Sequence, residues 1–117
     1  MAIEDWSERV VIAHLSGEPQ FSDDLQTILD RHAAAVAASE PAMDVVLDFA
    51  AVRFVTSSQI AQLLKLRKEV AASGSRLVLC GVEAQTWGAF LVAGLDKVFG
   101  FSDAVPTALA TLQLSRT

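Results

Sequence analysis

Three short runs of apolar, largely β-branched residues punctuate the chain: VVIAHL at 10 to 15, VVLDF at 45 to 49 and RLVLCGV at 76 to 82. Each is almost continuous in its apolar character, as a strand must be when both of its faces are covered. Between them stand SDDLQTILDRHAAAVAAS and SSQIAQLLKLRKEVAAS, in which apolar residues recur every three or four positions. That spacing places them on one face of a helix. Strands alternating with helices at these separations imply parallel strands joined by right-handed crossovers, hence an α/β sandwich.

The pattern predicts strands over Val10 to Leu15, Val45 to Phe49 and Arg76 to Val82. In the first helix Ser22 is the expected N-cap, with Asp23 and Asp24 near the positive end. Leu25, Ile28, Leu29, His32 and Val36 would form its buried face, and Glu40 and Pro41 end it. The second helix runs from Ser57 to Ser73, with Ile60, Leu63, Leu64 and Val70 inward and Lys65, Lys68 and Glu69 outward; Gly74 stops it. A third, about Ala84 to Ala93, buries Trp87, Phe90 and Leu91, and Gly94 followed by Leu95 fits an end in which glycine turns left-handed. Val98 to Phe101 reads as a short strand, Asp103 to Leu114 as a closing helix, and residues 2 to 6 as an added edge strand.

A chain of 117 residues, 52% hydrophobic and 20% charged, suits one domain over 1 to 117 with a core from about 9 to 114. No apolar run approaches the roughly 20 residues of a membrane span, and Asp5, Glu8 and Arg9 break any secretory pattern, so a cytoplasmic protein without direct membrane insertion is expected. The net charge of −5, with nine basic residues dispersed along the chain, offers no footprint for nucleic acid or anionic lipid. A protein partner fits better. The glycines form no phosphate loop, so no nucleotide cofactor is expected. His14 and His32 lie on separate elements without a CxxC or HxxxH pair, so no metal is expected either. Cys80 excludes an internal disulfide and reads as a small buried hydrophobe. His32 reads as a satisfied histidine at the core margin, and Asp48 as a strand end bonding backbone. Around Ser57 and Ser58 there is no GxSxG elbow. His14 could reach them only through the fold, so no enzymatic activity is expected.

The segment VTSSQI, 55 to 60, places three hydroxyls where strand hands over to helix. Thr56 and Gln59 have the T-x-x-Q spacing of a capping box, in which each side chain bonds the other residue's amide. Ser57 and Ser58 then occupy the first turn, beside free N–H groups and the positive helix end, where a phosphate would be stabilised. The cluster is either a capping box alone or a cap surrounding a phosphoacceptor.

The chain resembles STAS domains, the fold of anti-sigma factor antagonists and of the cytoplasmic tails of sulfate transporters. The resemblance runs from about Val10 to Leu112. It rests on SGE at 16 to 18, VVLDFAAVRFV at 45 to 55, TSSQIAQLLKLRKEV at 56 to 70, GSRLVLCGV at 74 to 82 and AGLDKVF at 93 to 99. It implies an α/β STAS fold, a mixed but mostly parallel sheet of four to five strands with four helices mainly on one side. The family loop usually reads D-S-S-G, its first serine phosphorylated by an anti-sigma factor kinase. By position Ser57 is the implied phosphoacceptor, with Ser58 or Thr56 as alternatives. Thr56 stands for the aspartate, keeping the cap and losing the charge; Gln59 stands for the glycine that gives a partner room. Pro19 and Gln20 likewise alter the GELD pattern upstream. The implied function is a stand-alone anti-sigma factor antagonist that binds a GHKL-type serine kinase through Thr56, Ser57, Ser58, Gln59, Gln62, Lys65 and Lys68. The alternatives are an accessory subunit held against the ATPase of a phospholipid-transport ABC complex, and a stressosome-like scaffold component. A sulfate-transporter tail ranks below these, since no membrane segment precedes the domain.

Overall fold

The alternation of strand and helix becomes a sheet in which β2 (Val10–His14), β3 (Asp44–Asp48) and β4 (Leu77–Cys80) run parallel, Val11 opposite Val45 and Val45 opposite Leu77. The computed structural model describes residues 1–114; the last three residues of the 1 to 117 reading lie outside the described residues. β1 (Ala2–Asp5) adds to β2 antiparallel, with Ile3 opposite Ala13, confirming the edge strand. β5 (Gly100–Ser102) closes the other side in parallel with β4, giving the order β1-β2-β3-β4-β5 among the described residues.

Side-chain alternation along each strand sorts the apolar residues into two layers. Ala13, Leu15, Val45, Leu47, Phe49, Leu77 and Leu79 face α1 (Phe21–Ala37), α2 (Ser57–Ala72) and α3 (Ala84–Val92). Val10, Ile12, Val46, Val78 and Cys80 face the opposite way and are covered by Ala108 and Leu112 of α4 (Val105–Leu114). Three helices therefore share one face and the fourth lies on the other. The larger layer is stitched by edge-on aromatic rings, with Phe49 between Phe21 and Phe90 at centroid distances of 5.7 and 6.3 Å.

Several boundaries and faces differ from expectation, each for a local reason. Ser22 is not the N-cap of α1. Helical structure begins at fully buried Phe21, the cap residue Gln20 makes no side-chain cap bond, and the Ser22 hydroxyl serves another partner described below. Within α2, Leu64 is 37% exposed and Leu66 takes the buried place assigned to it, because 59, 63, 66 and 70 share the face toward the sheet. Val36 and Leu91 are exposed, and Trp87 is half-buried, packed edge-on against Phe101 at 4.7 Å. β4 is shorter than Arg76 to Val82, and α4 starts at Val105 rather than Asp103. β5 lies later than Val98 to Phe101, since Phe99 turns into the core before pairing begins. Gly94 behaves as expected: with φ +72 it lets its own amide bond the Leu91 carbonyl and that of Leu95 bond Phe90, which closes α3.

Candidate functional site

β3 ends at Asp48, and the chain crosses to α2 through residues 49 to 56, a segment fixed at several points. The Phe49 amide bonds the Cys80 carbonyl at 2.8 Å, the Thr86 hydroxyl donates to the Val52 carbonyl at 3.3 Å, and Arg53 lies 3.7 Å from Glu83. The loop after β2 closes against it so tightly that a Cβ on Gly17 would lie 2.7 Å from the Ala51 carbonyl oxygen. Only glycine allows that approach.

At the tip of α2 the expected capping box is formed. The Gln59 amide donates to Thr56 Oγ1 at 3.2 Å, and the Thr56 amide donates to Gln59 Oε1 at 2.8 Å. Gln59 then goes further than a cap requires. It is 2% exposed, and its Nε2 donates to Glu18 Oε1 and, at 3.0 Å, to the Ser22 hydroxyl. Gln62 adds a bond from its amide to the Ser22 carbonyl at 3.2 Å. The loop at 16 to 20, the start of α1 and the start of α2 are thus one hydrogen-bonded unit, and no buried side-chain polar atom among the described residues lacks a partner.

This arrangement separates the seven residues expected to meet a partner. Thr56, Ser57, Ser58, Lys65 and Lys68 are exposed, Gln62 is half-buried with its amide engaged, and Gln59 points inward. The Gln59 side chain is therefore not available to a partner, a correction to its expected place among the contact residues. The Thr56 hydroxyl is committed to the cap, whereas those of Ser57 and Ser58 make no hydrogen bond among the described residues. The backbone amides of Ser57 and Ser58 are the uncommitted donors of the helix tip, since those of Gln59 and Ile60 bond Thr56. Four exposed residues, Ser57, Ala61, Leu64 and Lys68, follow one another at helical spacing along the outer face, and Phe54, 61% exposed, stands just before them. A phosphate on Ser57 would meet two free N–H groups and the positive helix end, and would place about two negative charges on an otherwise apolar and cationic surface.

His14 does not join this cluster. Its Nδ1 lies 2.8 Å from Asp48 Oδ2 and its Nε2 3.4 Å from Glu4 Oε1, on the sheet face that carries Val10 and Ile12. The Asp48 hydrogen bond raises the His14 pKa above the ordinary value of 6.5, against a smaller opposing effect of burial. Asp48 Oδ1 also accepts from the Ala50 amide at 3.0 Å, the backbone role expected of it. His32 donates through its protonated Nε2 to the Glu69 carbonyl at 3.2 Å. Cys80 is fully buried, and burial, with Asp48 nearby, pushes its thiol up to about 12. It is inert as a nucleophile at neutral pH.

A family model for the STAS domain matches residues 6–108. The chain belongs to the STAS domain family. No curated protein matches its sequence. Among solved structures, this STAS domain is similar to an anti-sigma-factor antagonist domain protein from Planctomyces limnophilus, with TM-score 0.77, 20% identity, and 96% of this chain and 97% of that one covered. It is similar to a serine-to-glutamate variant of RsbS from Moorella thermoacetica, with TM-score 0.79, 16% identity and coverage of 99% and 97%. It is also similar to phosphorylated SpoIIAA from Bacillus, with TM-score 0.69, 17% identity and coverage of 95% and 97%. At these identities the likeness establishes the STAS fold: a five-stranded mixed sheet with its helices in the family arrangement. Among the described residues no helix is long and apolar enough to cross a membrane.

Proposed function

We propose that this STAS domain is an anti-sigma factor antagonist that docks a serine kinase on the start and outer face of α2 and is released when Ser57 is phosphorylated. The observation that carries the reading is the division of labour in the hydroxyl cluster. Thr56 is used as the cap, while the Ser57 hydroxyl stands exposed and unbonded at the first helical position, beside two uncommitted amides. Phe54, Ala61 and Leu64 supply apolar contact area around it, and Lys65 and Lys68 a cationic margin. Such a patch gains affinity by burying apolar surface, and a phosphate at its centre opposes that burial by the cost of desolvating two charges. That one similar protein, SpoIIAA, is known in a phosphorylated form supports the same reading.

Affinity capture on the immobilised wild-type chain, and on Ser57→Glu, tests the docking half of the proposal. The wild type is expected to recover an anti-sigma factor kinase, and the glutamate variant to bind it at least about tenfold more weakly. Recovery of an ATPase with its permease, or of a large multi-copy scaffold with no kinase, would overturn it.

A further inference from the structure

The alanine-rich second half of α1 leaves space beneath it. The first half carries Phe21, Leu25, Ile28 and Leu29, all buried against the sheet. From Arg31 to Ala38 the sequence RHAAAVAA supplies one large aliphatic side chain, Val36, and that one is 54% exposed. Nothing bulky fills the gap between this half of the helix and the strands. A partly enclosed cavity of about 290 Å³ remains, walled by Ile3 of β1, Val11 and Ala13 of β2, Ile28 of α1, and Met43 and Val45 at the entry to β3. Packed interiors leave few voids larger than a water molecule. Ligand pockets, by contrast, begin near ~300 Å³ and combine apolar walls with a few polar groups.

The polar side chains lining the cavity are Arg31, His32, Glu40 and Ser73. His32 is engaged with the Glu69 carbonyl, and the Ser73 hydroxyl donates to the Val70 carbonyl at 2.8 Å. Arg31 gives one N–H to Asp5 at 2.7 Å, in a pair whose side chains are 46% and 63% exposed. A guanidinium has five donors in a fork matched to carboxylate, so Arg31 retains capacity for a second anion. A water occupies ~30 Å³ of liquid and a methylene is of similar size, so the cavity holds a chain of roughly eight to ten carbons.

We propose that the cavity binds a straight-chain monocarboxylate of about eight carbons, with its chain between α1 and β2 and its carboxylate on Arg31. The site lies away from the tip of α2 and does not depend on phosphorylation there. Octanoate titrated into the isotope-labelled full chain is expected to give saturable NMR shifts at the cavity walls. Each added methylene from hexanoate to octanoate should tighten binding about fourfold, and the gain should stop near decanoate. Arg31→Gln should weaken octanoate about tenfold while leaving 1-octanol unchanged, whereas Glu40→Gln should strengthen octanoate. Ala35→Leu, which fills the cavity from the helix side, should abolish both; if that variant fails to fold, the surface substitution Arg31→Gln still decides. Absence of saturable shifts, or equal losses of acid and alcohol in Arg31→Gln, would overturn the proposal.

Discussion

Gln59 performs three tasks that the glycine usual at its position cannot: it closes the capping box, holds Glu18 and receives its place in the core through Ser22. Its capping role is readable from T-x-x-Q alone. Its burial is not, because a polar residue on an otherwise apolar helix face reads as surface. The signal lies in the spacing 59, 63, 66 and 70, which continues the stripe of Leu63, Leu66 and Val70 one turn toward the N-terminus. Gln59→Ala should lower unfolding stability by about 2 kcal/mol in urea titration, since it removes the reciprocal cap and leaves the Glu18 carboxylate and Thr56 amide without their partner. Thr56→Asp, which restores the common family residue, keeps a capping oxygen and should change stability by less than about 0.5 kcal/mol. His14 supplies a pH response. The charged groups that face it are Asp48 from β3 and Glu4 from β1, and its folded pKa is raised. Its stabilisation is therefore full below about pH 6.5 and disappears as pH rises through the elevated folded value. An NMR titration should place the His14 midpoint above 6.5, and His14→Gln should remove this segment of the stability profile; a midpoint at or below that value contradicts the arrangement.

At the scale of elements, the strands and helices follow from hydrophobic period, while the helix faces depend on what lies opposite. In α2 three leucines, 63, 64 and 66, compete for the same stripe, and period alone admits Leu64. The sheet decides for Leu66 because it continues the line to Val70. In α1 the expected face ends in Val36, yet the helix there stands over the cavity instead of the strands, so the side chain lines that cavity and stays exposed. Helix ends were more legible where glycine marks them. Gly74 and Gly94 close α2 and α3 in left-handed conformations, as the sequence implies. α1 closes with the same pair of bonds, Ser39 to Val36 and Glu40 to Ala35, but with Ser39 at φ 55. A serine there carries a steric cost that glycine avoids, less glycine's extra entropy in the unfolded chain. Ser39→Gly should raise stability by about 0.5 to 1 kcal/mol, measured as an upward shift of the urea midpoint with an unchanged slope. A loss of stability would contradict the left-handed cap.

For the whole molecule, the parallel strands set the site's position. They deliver the loop at 49 to 56 to one end of the sheet, and the crossover to α2 raises Ser57 there into solvent. The α/β class, the edge strand and the helix beginning at Ser57 were all readable from the sequence. The clasp between Glu18, Ser22 and Gln59 was not, because it joins residues about forty positions apart through polar side chains that leave no periodic trace. That clasp makes the altered GEPQ loop and the altered T-S-S-Q motif parts of one hydrogen-bonded surface, with the hydroxyls of Ser57 and Ser58 left unbonded on it among the described residues. The most direct measurement of this account is site mapping by mass spectrometry after incubation with the cognate kinase and ATP. The account predicts one phosphate on Ser57, lost in Ser57→Ala and retained in Ser58→Ala; a phosphate found only on Ser58 or Thr56, or none at all, would contradict it.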